Sequence, residues 1–298
     1  MPEPTARKSL RKAQLAGRWY PDRASEVRRE IEGWGPYLAQ GGPECPGAAG
    51  ADKALCVVPH AGWFFSGKLA AKALKAAGAA LGAGGPEAVV VLGGHLPAGS
   101  PVIVYPEEGW ETPLDPVRLA PELAGELARR AGGGLRFRSW EGPTGDNTVE
   151  VELPLLKHYF PEAEVLALRA APDEGAAVLG RALLELFRDK RTLFVASTDL
   201  THYGEAYGFS PAGPGPAGEK FREENDRRFI EAALALDLRA MLDLGNRRFA
   251  ACSAGAAAAA AAVASEIKAA GSLVGYSAST DILTGEQSVG YAGIVSAP

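Results

Sequence analysis

Four short apolar runs rich in valine and leucine, at 54–58, 88–92, 164–169 and 192–197, recur along this 298-residue chain with helix-patterned stretches between them. Runs of that length, flanked by turn residues and spaced by helical segments, read as parallel strands buried on both faces and joined by helical crossovers. The pattern predicts an α/β fold: a central, mostly parallel or mixed sheet with helices on both faces. In such folds the side chains just beyond the carboxyl ends of the strands meet in one crevice. Three of the four histidines fall after these runs: His60 after Leu55-Cys56-Val57-Val58, His95 after Val89-Val90-Val91-Leu92, and His202 after Leu193-Phe194-Val195-Ala196. Imidazoles gathered there suit holding a metal or moving a proton.

The remaining pattern fills in the units. Asp22–Ser25 offers helix caps, and Val27, Ile31, Trp34 and Leu38 follow at helical spacing, limited by Pro36. Helices are predicted at about 67–80, 121–131, 174–188 and 218–236, with a further strand at 101–105. The tract Ala254–Ala264 reads as a tightly packed helix, because alanine has the best helix propensity. Segments 273–279 and 288–295, around the turn Thr284-Gly285-Glu286-Gln287, read as a hairpin on the sheet edge. The Gly/Pro-rich stretch Tyr207–Gly218 reads as a mobile connection in preference to a lid. With no repeat and no convincing linker, residues 1–298 are predicted to form a single domain.

Composition excludes several classes of function. The net charge is −5 and no basic stretch suits nucleic acid. No apolar run approaches the ~20 residues needed to span a bilayer. The charged start, Met1-Pro2-Glu3-Pro4-Thr5-Ala6-Arg7-Lys8, lacks the apolar core of a signal peptide, so the expected location is cytoplasmic. Three cysteines, Cys45, Cys56 and Cys252, give an odd number with no paired spacing, which argues against a disulfide framework.

Pro59-His60-Ala61-Gly62-Trp63 sets a rigid turn, an imidazole and a permissive glycine directly after a strand. Alone, His60 reads equally as a ligand or as a cap in the crevice wall. Gly93-Gly94-His95 repeats the arrangement at the next strand, and two strand-end imidazoles together suit one ion. In Asp199-Leu200-Thr201-His202 a carboxylate three residues before a histidine can orient the ring for acid/base work; the alternative is a local turn around a buried salt bridge. His158 reads as a surface or helix-end residue. Cys252, at the predicted start of the alanine-rich helix, is placed where free amides favour thiolate, against the alternative of an inert buried thiol. Cys56 reads as core packing and Cys45 as exposed without a role. No Gly-x-Ser-x-Gly elbow and no phosphate-cradling glycine loop is present.

These residues fall in an ordered set that resembles the Memo family, whose fold is similar to the class III extradiol dioxygenases (LigB-like). The set runs from Ala16-Gly17-Arg18-Trp19-Tyr20-Pro21 through Pro59-His60-Ala61-Gly62-Trp63, Leu92-Gly93-Gly94-His95, Glu111-Thr112-Pro113-Leu114 and Thr148-Val149-Glu150. It continues with Ser197-Thr198-Asp199-Leu200-Thr201-His202-Tyr203-Gly204, Cys252 and Gly290-Tyr291-Ala292-Gly293. The resemblance implies metal ligation by His60, His95 and Cys252, with Asp199 and His202 lining the same pocket. Two positions depart from the family pattern: Asn147 stands where a histidine is usual, and Gly94 where serine or asparagine is usual. Two imidazoles and a thiolate suit Fe(II), Cu or Zn, and the dioxygenase resemblance favours iron. The implied activity is a metal-dependent oxidoreductase acting on a small molecule; the alternative is a non-enzymatic metal- or ligand-binding protein. Prokaryotic members of the family accompany a radical S-adenosylmethionine protein and an AMMECR-type protein, which the resemblance suggests as functional partners.

Overall fold

The computed structural model describes residues 10–40, 50–140, 142 and 146–298. Its centre is a mixed nine-stranded sheet. Four parallel strands, in spatial order Lys53–Val58, Thr192–Ser197, Ala88–Gly93 and Glu164–Arg169, form the middle. These are the four runs read from the sequence. The strand Val102–Val104 joins the last of them antiparallel and carries Phe137–Ser139 on its outer side. At the other edge Ser288–Ala297 lies antiparallel to Lys53–Val58 and pairs with Ala270–Ala278, so the predicted hairpin does close that side. A two-residue strand, His202–Tyr203, pairs with the start of Ser288–Ala297.

Period-two alternation splits each central strand between two cores, since successive side chains point to opposite faces. Ala54, Cys56, Val58, Val89, Val91, Leu193 and Val195 pack with the helix Trp63–Ala80 and with Val27 and Ile31 of Ala24–Gly33. Leu55, Val57, Val90, Leu92, Phe194 and Ala196 pack on the opposite face against Gly175–Leu186, Pro216–Leu234 and Ala254–Glu266. Helices therefore cover both faces, as the run pattern requires. The alanine-rich helix lies directly on the sheet, and every residue from Ala254 to Ala264 is buried. Its neighbours match its small side chains: a Cβ on Gly180 would fall 2.3 Å from the carbonyl oxygen of Ala259.

Several boundaries differ from expectation. The helix predicted from 67 begins at Trp63, because Gly62 has extended dihedrals and its carbonyl accepts from Phe65 N and Ser66 N, opening the helix one turn earlier. Pro36 does not end the first helix; the break falls at Trp34, and Pro36 lies in the first turn of the short helix Gly35–Leu38, where its missing N–H costs nothing. A helix at Leu238–Arg248 and a small sheet of Leu10–Arg11, Gly109–Trp110 and Val117–Arg118 were not anticipated. The stretch Tyr207–Gly218 is a loop except for its ends, which belong to the helical turn Glu205–Tyr207 and to Pro216–Leu234. Cys45 lies outside the described residues. Among those that are described, no helix is long and apolar enough to cross a membrane.

Candidate metal centre

Strand ends bring the site together. The parallel register sets Val58 beside Ser197 and Leu92 beside Ala196, so the turns that follow the three strands leave the sheet at one level. His60 is fully buried there, and its ring meets the ring of His95 edge to face at 5.0 Å between centroids. Cys252 comes from a separate part of the chain, and its Sγ lies 3.2 Å from His60 Nε2. One donor atom from each of His60, His95 and Cys252 can be chosen so that all lie within 4.8 Å of one another.

These donors fit a metal ion. Ligand bonds of about 2.0–2.3 Å around a tetrahedral ion put neighbouring N and S donors roughly 3.3–3.7 Å apart. The cluster needs only small side-chain adjustments to reach that spacing. The outer contacts fit as well. His60 Nδ1 is 2.9 Å from Ser197 Oγ, and donation from Nδ1 leaves the Nε2 lone pair toward Cys252, as ligating histidines require. Burial pushes the His60 imidazole down to about 3 and, with His60 beside it, the His95 imidazole down to about 4. Both are therefore neutral at ordinary pH, the form that binds metal.

Cys252 corrects one expectation. The alanine-rich helix begins at Ala254 with Ser253 as its cap, so Cys252 precedes it. The Cys252 N–H is spent on the carbonyl of Asp199 at 3.2 Å. Burial, and then the nearby Asp199 charge, push the thiol up to about 12, against weaker help from Thr198 and Ser253. Desolvation wins over helix-end electrostatics, and the metal-free residue is a thiol.

Asp199 and His202 sit beside the cluster, but not as the tight pair that their spacing suggested. Asp199 Oδ1 accepts from the backbone N–H of His60 at 2.7 Å, and its Oδ2 stands 4.0 Å from His60 Nε2 and 3.9 Å from His202 Nε2. No hydrogen bond joins the two side chains at that distance. His202 instead donates Nδ1–H to the carbonyl of Leu200 at 3.2 Å, which turns Nε2 toward the Asp199 side. Burial raises the Asp199 carboxyl, with the neighbouring His202 pulling it back. His158 lies at the end of the helix Leu153–Tyr159, and Cys56 packs within its strand.

A cleft of about 460 Å³ opens onto this cluster, with His95, His202 and Cys252 in its wall beside Tyr207, Asn246 and Phe249. Sequence reasoning missed the residues that brace it. Arg169 pairs with Asp146 at 2.6 Å and donates to the carbonyl of Gly94, and no short motif marks either residue. Gly94 and Asn147, the two positions read above as departing from the resembled pattern, both lie against the cluster's surroundings. A Cβ on Gly94 would fall 2.4 Å from Ser253 Oγ, so a side chain there is incompatible with Ser253 where it stands. Asn147 directs Nδ2 to the carbonyl of His60 at 3.5 Å.

The family sequence model described as Memo-like protein matches residues 11–295. A MEMO1 family protein of Methanopyrus kandleri is 32% identical, over 96% of this chain and 98% of that protein. One of Pyrococcus abyssi is 32% identical over 78% of this chain and 80% of its own length. Among solved structures, the crystal structure of an uncharacterized protein from Escherichia coli K12 aligns with a TM-score of 0.46 at 16% identity, covering 70% of this chain and 86% of that one. A chain matched over residues 11–295 by the family model, and over 96% of its length by a relative 32% identical to it, belongs to the Memo family.

Proposed function

We propose that this chain is a metal-dependent oxidoreductase whose single ion, Fe(II), is held by His60, His95 and Cys252 and whose small-molecule substrate enters the cleft beside them. The observation that supports it most is the convergence of three donors from distant parts of the chain beside an open, partly aromatic cleft. Three protein donors leave coordination positions for other ligands, the pattern of catalytic rather than structural sites. Bound there, the ion would supply Lewis-acid and one-electron chemistry. His202, about a third exposed and facing the cleft, has Nε2 available to take or give a proton at a substrate oxygen. Asp199 holds the His60 turn through its backbone N–H and presents its second oxygen between the two imidazoles. The buried side of the cluster excludes water from His60.

The sulfur donor favours a second reading, a metal- or ligand-binding protein without turnover. A thiolate donates more charge than the carboxylate found as third ligand in dioxygenases of related fold, and it is itself open to oxidation. Oxygen consumption by the iron-loaded protein, screened against a panel of small molecules, separates the two. Consumption that depends on a substrate and disappears in His202→Ala supports the enzyme; a loaded protein inert across the panel supports the binding protein. Elemental analysis after anaerobic loading tests the centre itself. About one ion per chain is expected, lost in His60→Ala and in Cys252→Ala, on the three-donor site. Equal metal content in those variants would end the proposal.

A further inference from the structure

The turn that carries His95 is gripped at every step. Gly93 O accepts from Ala170 N at 3.0 Å, Gly94 N donates to Thr148 Oγ1 at 3.1 Å, and Gly94 O accepts from Arg169 Nε at 2.8 Å. Arg169 Nη2 reaches the carbonyl of His95 itself at 3.3 Å. The same Arg169 pairs with Asp146, whose other oxygen accepts from Thr148 N at 2.9 Å and from the Thr148 hydroxyl. Trp140 closes over the guanidinium, 5.5 Å from its ring centroid. Thr148 presses so closely on the turn that a Cβ on Gly93 would fall 2.2 Å from its hydroxyl oxygen. His95 is held at φ 55°, a left-handed conformation that side chains other than glycine seldom adopt unless their surroundings impose it.

A buried ion pair is a poor device for stability alone, because desolvating both charges offsets their attraction. Here the Arg169 hydrogen bonds end on the His95 turn and Asp146 reaches it through Thr148, and none of the three side chains is among the described residues that line the cleft. The charges also suit a nearby cation, since the Asp146 carboxylate balances the Arg169 guanidinium and the pair can hold carbonyl groups without repelling the ion. We infer that Asp146, Thr148 and Arg169 are positioning residues that preset His95 for the metal, and so set metal affinity without offering a donor. The inference rests on the metal-centre reading above.

Anaerobic titration with Co(II), read by the thiolate-to-cobalt absorption band, tests it. Thr148→Val keeps the shape and removes the hydroxyl; it should bind Co(II) about 10–100-fold more weakly, the usual loss when an outer-shell partner is removed, with the same band at saturation. Thr148→Ser restores the hydroxyl and should restore the affinity. Arg169→Met should weaken binding as Thr148→Val does; if it does not fold by circular dichroism, the threonine pair alone decides. Wild-type affinity in Thr148→Val, or Thr148→Ser binding as weakly as Thr148→Val, would overturn the inference while leaving the metal centre standing. A wild-type protein with no band that depends on Cys252 takes down both.

Discussion

At the proposed centre, protonation states at single residues would set the terms on which a metal enters. Since His60 and His95 are already neutral above about pH 5, with their imidazoles at about 3 and about 4, neither has a proton to give up. Cys252, pushed up to about 12, does. Binding should therefore release about one proton per ion, and affinity should rise about tenfold per pH unit between about pH 6 and 9. Calorimetry in buffers of different ionisation enthalpy measures the release; two or more protons would contradict the neutral imidazoles. His202 makes the opposite prediction. It is not among the clustered donors, so His202→Ala should keep its metal and lose whatever turnover is found. Glu152 offers a test of burial by itself. It is fully buried, neither carboxyl oxygen has a hydrogen-bond partner among the described residues, and burial, followed by the Asp199 charge, holds its carboxyl well above the usual range. A carboxyl raised in the folded state loses stability as pH climbs past its unfolded value, because the unfolded chain ionises first. Glu152→Gln should thus raise Tm at neutral pH and leave it unchanged below about pH 4, which pH-dependent melts would read.

At the scale of elements, legibility followed length and period. The four central strands and the alanine-rich helix each carry four or more residues of one character, and all formed where their sequences predict. Two-residue strands such as Gly109–Trp110 and His202–Tyr203 are too short to show any period and exist only through their partners. The helix Leu238–Arg248 is not legible in the sequence because Gly245 and Asn246, poor helix formers, weaken its pattern; the glycine is needed there, since a Cβ would fall 2.3 Å from that of Ala254. Among candidate site residues, His60, His95 and Cys252, which the structure brings together, were visible because their chemistry is rare in this chain. Asp146 and Arg169 were not, because charged residues are common and only the tertiary fold pairs these two. The seam between Gly175–Leu186 and the alanine-rich helix yields a prediction in which propensity and packing oppose each other. Alanine for glycine inside a helix is worth up to about 1 kcal/mol, while overpacking costs about 1–3 kcal/mol. At Gly180 the obstacle is the Ala259 backbone carbonyl, which cannot rotate away. Gly180→Ala should destabilise the protein in denaturant unfolding, and a stabilised variant would show that the helices can separate.

Across the whole molecule, the ordered motifs divide into those that touch the site and those that brace it. Glu150 is buried, accepting from Leu15 N at 2.7 Å and from the Tyr20 hydroxyl at 2.9 Å, while Trp63 N donates to Trp19 O and Trp63 Nε1 to Val151 O. The segment around Trp19-Tyr20 is thereby tied both to the start of the helix Trp63–Ala80, which follows the His60 turn, and to Glu150, an architectural rather than a chemical role. Tyr20→Phe removes one buried hydrogen bond to a carboxyl and should cost about 1–3 kcal/mol in unfolding, with Co(II) affinity unchanged. The donors of the proposed centre are scattered: 192 positions separate His60 from Cys252. No fragment shorter than most of the chain contains the set, and Cys252 stands beside His60 just ahead of the alanine-rich helix that packs on the sheet. At the proposed centre a three-donor ion could be held only by a chain made at least as far as Cys252, so a copy truncated before that residue would lack the full donor set.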